Sequence, residues 1–191
     1  WEGDGTPETN AATTGMVIMT FLSTGFNSNG GKWCIVINKS ILWLIKNQKT
    51  DGSFAQNNFV NGICTMALTE ATGMGCKTEG LSNAANIAVD YILKQQNPSC
   101  GFWYYGPKGN GKPSEFDDMA VTTWCMMGLK SAWLAGIKEA KIKKAFKLCG
   151  KLLDITPNTK DNAIETKGES WYRASGVKGS GAAGGSCQAM A

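Results

Sequence analysis

The sequence predicts an all-α protein assembled from repeated two-helix units, and three observations lead to that reading. A unit of the form aromatic-aliphatic-x3-Gln-x3-Gly-x-Phe closes an apolar stretch at Trp43 to Phe54, through Gln48 and Gly52, and returns 48 residues later at Tyr91 to Phe102, through Gln96. Segments that are apolar on nearly every side alternate with segments that are apolar at i, i+3, i+4 spacing. Strand signals are nearly absent, while glycine joints at Gly25, Gly30-Gly31, Gly73-Met74-Gly75 and from Gly101 to Gly111 punctuate the chain. Gly25 is expected to recur as Gly73, which carries the 48-residue period through a whole unit. Periods of this length mark stacked supersecondary units, each unable to bury its apolar face alone.

In the first unit Met16 to Thr24 reads as an inner helix, and Ile37, Ile41, Leu44 and Ile45 as the one-sided stripe of an outer helix. The second unit repeats this, with Ile63 to Ala71 inside and Ala85, Ala88, Val89, Ile92 and Leu93 outside. The third has Met119 to Leu134 as a long apolar helix, followed by the stripe Ile142, Ala145, Phe146, Cys149, Leu152 and Leu153. Lys138, Lys141, Lys143, Lys144, Lys147 and Lys151 surround that stripe as a solvated outer face. Residues 1–191 then form one domain, with units at about 14–58, 59–106 and 115–176, and 186–191 opening a further one. Apolar helices in an inner ring and amphipathic helices in an outer ring make an α/α toroid of about three hairpins plus the start of a fourth. Such an incomplete ring exposes apolar end faces, so further repeats, a second copy or another subunit is expected to complete the arc. The interval lengthens to 63 residues between Gly73 and Gly136, and the added 15 fall in Gly106 to Ala120.

Composition narrows the function classes. A net charge of +4 from eighteen Lys, one Arg and no His is too mild and too poor in Arg for a nucleic-acid surface. No apolar run approaches the roughly 20 residues of a membrane-spanning helix. Of the seven cysteines, Cys64, Cys125 and Cys149 fall in apolar helical patterns as small hydrophobes, whereas Cys76 and Cys100 lie in loops and could pair. The start at Trp1 and the apolar segment opening at Cys187 suggest a processed chain or a fragment. The loop cysteines and the Asn/Thr/Gly/Ser-rich texture favour an extracytoplasmic or secreted protein, with a cytoplasmic one as the alternative.

The Trp43 to Phe54 pattern resembles the QW-type repeat of the terpene cyclase and protein prenyltransferase β-subunit superfamily, with Phe in place of the final Trp. The second copy departs from it by placing Cys100 at the glycine position, and a third survives only as Gly168-Glu169-Ser170-Trp171-Tyr172. The chain looks closest to bacterial prenyltransferase and squalene oxidase repeat proteins, most tellingly in the stretch from Val121 to Ala132. The resemblance implies the toroid fold, which in that superfamily hosts cyclases, transferases and binding domains. Gln48, Phe54, Gln96 and Phe102 are read as a structural clasp. The glutamine can bond the carbonyls ending its own helix or the free N–H groups of the next, and the aromatic can stack over the turn.

Three chemistries follow from the resemblance. Protein prenyltransfer would need Asp, Cys and His on zinc, but the chain has no His, and Asp118 with Cys125 falls short of a ligand set, so neither metal nor cofactor is expected. Class II cyclases protonate an alkene with a D-x-D-D aspartate. Glu115-Phe116-Asp117-Asp118 resembles that motif, with Asp117 as donor and Glu115 and Asp118 raising its pKa. The same residues also read as a capping box, Ser114-x-x-Asp117, at a helix start. The Cys and Gln of complement-type thioester domains, separated by two residues, have no counterpart, since Cys187 and Gln188 are adjacent. What remains is an apolar inner surface of Trp124, Met126, Met127 and Trp133, joined by Met66 and Met19. The expected function is therefore a binding or assembly module of an extracytoplasmic bacterial protein, taking a partner or an apolar ligand. A squalene-type cyclase acting on a polyprenyl substrate is the alternative.

Overall fold

The structure is a computed structural model that describes residues 5–99, 101–106 and 119–153, with side chains described to residue 150. Among the described residues it is all-helical: α1 (Pro7–Ser23), α2 (Cys34–Asn47), α3 (Asn58–Gly73), α4 (Leu81–Gln95), α5 (Met119–Leu134) and α6 (Glu139–Leu153). The odd-numbered helices pack side by side in the order α1, α3, α5. Each is backed by the helix that follows it, and α4 also touches α2, α5 and α6. The first helix starts earlier than its apolar run, because Thr6 caps it by accepting from the Thr9 N–H and Pro7 supplies a preset φ in the first turn.

All three inner helices end in the same way. Gly25, Gly75 and Gly136 adopt positive φ (85°, 71° and 76°), and their N–H groups bond Leu22, Thr72 and Trp133. The next residue in each case, Phe26, Cys76 or Ile137, reaches back to Phe21, Ala71 or Ala132, completing a Schellman motif. The residue that repeats Gly25 is thus Gly75. Gly73, expected in that role, is the last helical residue of α3.

The inner helices approach through small residues. A Cβ on Gly62 would lie 3.0 Å from backbone atoms of Trp124 and Cys125, and one on Gly128 would lie 3.1 Å from the Gly62 carbonyl oxygen. A Cβ on Gly15 would lie 3.1 Å from the Ile63 side chain. Eleven residues before each Schellman glycine stands Thr14, Cys64 or Cys125, all buried. The two thiols donate to carbonyls of the preceding inner helix, Cys64 to Ala11 and Cys125 to Asn58. Ile37, Ile41 and Leu44 of α2 and Ala85, Ala88, Val89 and Ile92 of α4 fill the space between the layers. Burial of each large aliphatic contributes roughly 1.5–3 kcal/mol.

Gln48 and Gln96 join neighbouring units. Gln48 Nε2 donates to Gly52 O in its own turn and to Ala84 O of α4, while Gln96 Nε2 donates to Gly101 O and Ala145 O of α6. Both amide hydrogens go to carbonyls, one local and one on the next outer helix, and none of these bonds involves an N–H of that helix. Gly52 and Gly101, at φ 96° and 80°, press on the backbone at Ile87 and at Leu148-Cys149, where a Cβ would come within 2.5 and 2.8 Å. Counted from these glycines, Trp103 repeats Phe54, and Phe102 stands one place earlier. The turn from Asn97 carries one more residue than the turn from Lys49. The backbone N–H of Phe54 donates to Asn61 and that of Trp103 to Thr122, each the fourth residue of the following inner helix. Trp103 and Phe102 are both fully buried, and Trp103 Nε1 bonds Ile92 O at 2.8 Å.

Gly62→Ala is expected to lower unfolding stability in urea by about 1–3 kcal/mol through overpacking against α5. An unchanged midpoint would contradict the close approach.

Candidate binding face

On α3 two sides are occupied by α1 and α5 and a third by α4. The remaining side carries Phe59, Met66 and Glu70, which lie on one stripe of the helix and are half-buried. On α5 the corresponding stripe runs through Ala120, Trp124, Met127 and the exposed Leu134. The Schellman glycines give these helices a common register. Nine residues before each stands a methionine: Met16, Met66 and Met127. Met16 is 36% exposed, and the other two are partly exposed. Helices that run parallel in the same register turn equivalent residues the same way, so the three thioethers form a row across the inner layer.

One end of this row is aromatic. Phe59 stacks on Tyr105 with ring centroids 6.2 Å apart and meets the edge of Trp124 at 5.8 Å. Tyr105 is held there by Asn58, which is completely buried. The Asn58 N–H donates to Tyr105 O, and its side-chain amide donates to Tyr104 O and Gly106 O. Asn61, one turn on, accepts from the N–H groups of Phe54 and Ala55 and donates to Ala55 O. Two buried asparagines of α3 therefore fix the turns at both ends of the second unit, and through them the aromatic cluster.

Of the residues expected on the inner surface, Trp124 and Met127 belong to this face. Met126 and Trp133 lie roughly 100–180° away from these two residues around α5. Met126 is buried with its sulfur 3.3 Å from Cys149 Sγ of α6, and Trp133 packs edge-on against Phe146 with Lys130 and Lys143 over its ring. Met19 is partly buried against the core. Glu115, Asp117 and Asp118 lie outside the described residues, as do Cys100 and Cys187. The aromatic cluster was missed in sequence because Phe59 and Tyr105 sit at element boundaries, where no periodicity points to them. The methionine row becomes visible once Gly75, in place of Gly73, sets the register.

Among the described residues no three His, Cys, Asp or Glu side chains stand close enough to hold a metal ion. Nor is any described helix long and apolar enough to cross a membrane. Burial raises the thiol pKa of Cys64, of Cys125, where the neighbouring Cys149 adds to the effect, and of Cys149 itself, which is pushed up to about 12. Nucleophilic chemistry at these sulfurs is thereby disfavoured, since the thiolate is the reactive form. A shallow recess of about 620 Å³ between α4 and α6 has Leu93, Pro98 and Leu148 on its walls and Lys144 and Lys147 at its rim. Comparison with protein-family models, curated proteins and solved structures finds no match to this chain.

In the native protein at about pH 8, close to the ordinary thiol pKa, an alkylating reagent is expected to label the partly exposed Cys34 and Cys76. Cys64, Cys125 and Cys149 should stay unlabelled until urea is added. Labelling of Cys149 at the same rate as Cys34, read by peptide mass spectrometry, would contradict their burial.

Proposed function

We propose that this chain is a binding or assembly module of α/α-toroid type in an extracytoplasmic bacterial protein, and that its inner face takes an apolar ligand or partner. The observation that carries the reading is the row Met16, Met66 and Met127 with the Phe59, Tyr105 and Trp124 cluster at its end. Thioethers are polarisable and rotate freely, so they adapt to an apolar surface without specifying its shape, while the aromatic cluster offers a rigid anchor. Glu70, on the same stripe as Met66, adds one carboxylate beside the row. The toroid part of the proposal draws on three parallel inner helices, each backed by an amphipathic one, and on the two glutamine clasps that set successive outer helices in register.

The test uses N-phenylnaphthylamine, an uncharged apolar fluorophore. The native protein is expected to bind it saturably. Trp124→Ala and Met66→Lys should each weaken binding by about tenfold, the effect of removing an interface anchor, with thermal unfolding midpoints close to that of the parent. Equal binding by both variants would overturn the proposal. So would conversion of squalene to cyclised product that Asp117→Asn abolishes, because that result assigns the chain to the cyclases.

A further inference from the structure

The first hairpin carries a second surface, on the opposite side of the molecule from the methionine row. No acidic residue occurs between Glu8 and Asp51, a stretch that includes most of α1 and all of α2. Within it Ile35, Lys39, Leu42 and Lys46 stand at i, i+4, i+7 and i+11, one face of α2, directly away from the buried Ile37, Ile41 and Leu44. Ile35 is 67% exposed and Leu42 41%, the two exposed large aliphatic side chains among the described residues of the outer helices. Neither Lys39 nor Lys46 forms an ion pair among the described residues. Trp43, partly exposed, flanks the stripe and lines a 260 Å³ recess with Val36 and Lys39, whereas Trp33 at the start of the helix turns the other way and packs on Phe21.

An ordinary solvated face does not have this composition. At the equivalent places α4 carries Asn83 and Asp90 instead of Ile35 and Leu42. On α6 the lysines are partly neutralised, Lys141 by Asp90 and Lys143 by Glu139, and Lys138 just before the helix also pairs with Asp90. Among the described residues of the outer helices, only α2 combines exposed large aliphatics, a flanking tryptophan and uncompensated lysines. That set matches the interface of an anionic bilayer: aliphatic side chains enter the headgroup boundary, tryptophan prefers that depth, and lysine ammonium groups meet lipid phosphates. The face is a convex ridge, which a deformable surface can cover along its whole length. A second folded protein would need a complementary groove.

From this we infer that the outward face of α2 is a docking surface for anionic phospholipid membranes, held at the interface without spanning it. Sedimentation with vesicles tests this on the full chain. With about one-third phosphatidylglycerol in phosphatidylcholine the protein is expected to pellet, and with phosphatidylcholine alone to bind at least about tenfold more weakly. Release is expected near 1 M salt, where the Debye length is about 3 Å. Lys39→Glu with Lys46→Glu, and separately Ile35→Ser with Leu42→Ser, should each reduce binding about tenfold or more. All four positions are exposed, so circular dichroism and thermal unfolding should match the parent. Failure to bind the anionic vesicles overturns the inference, as does undiminished binding by either double variant. Retention on immobilised polyglutamate without vesicle binding also overturns it, by showing an acidic polypeptide to be the preferred occupant. Because none of these residues touches the methionine row, fluorophore binding is expected to survive both double variants.

Discussion

The architecture depends on how closely α3 and α5 approach. Gly62 and Gly128 sit where a single added carbon would strike the opposing backbone, and the Cys125 thiol and the Thr69 hydroxyl, lying along the same seam, bond across it to carbonyls. Small residues at a helix contact forgo side-chain burial but let backbones approach until dispersion contacts are dense. That distance sets the pitch of the inner layer. Everything outside it must match, including the outer helices, the turns that return to the inner layer, and the spacing of whatever the inner helices present to solvent.

The outer layer meets this constraint through a different device. Each clasp glutamine satisfies one carbonyl of its own turn and one carbonyl of the next outer helix, and the adjoining glycine allows that turn to lie directly on the next helix's backbone. Buried amide groups in such a position are costly when unpaired, so the geometry is specified as well as stabilised. Asn58 and Asn61 extend the same logic inward, each tying a turn to α3 through several bonds. The Asp51 carboxyl contributes locally: hydrogen bonds from Ser53 hold it below the ordinary carboxylate range and keep the first turn folded.

Much of this could be read from the chain. The alternation of all-round apolar and one-sided helices was legible because outer helices need only one buried stripe, and the clasp because in both copies a glutamine is followed within five residues by a glycine and then an aromatic. Register was less legible. Gly73 and Gly75 lie two residues apart, and only the end of the helix decides which takes positive φ. The extra residue in the turn at Pro98-Ser99 moved the aromatic position from Phe102 to Trp103. The faces of α5 were hidden for a related reason, since a helix that is apolar all round has no periodicity to distinguish Trp124 from Trp133. The two surfaces proposed for binding emerge from exposure, which depends on neighbours far away in sequence.

These features converge on one claim: equivalent positions of three parallel inner helices present methionines on a single open face. Hydrogen peroxide footprinting with peptide mass spectrometry addresses it most directly, because a thioether is oxidised according to its accessibility. Met16, Met66 and Met127 are predicted to oxidise readily in the native protein, while Met119, 1% exposed, and Met126, 8% exposed, oxidise slowly until the chain is unfolded. Protection of Met127 together with rapid oxidation of Met126 would contradict the account, because it would turn α5 by roughly 100° from the orientation on which the methionine row depends.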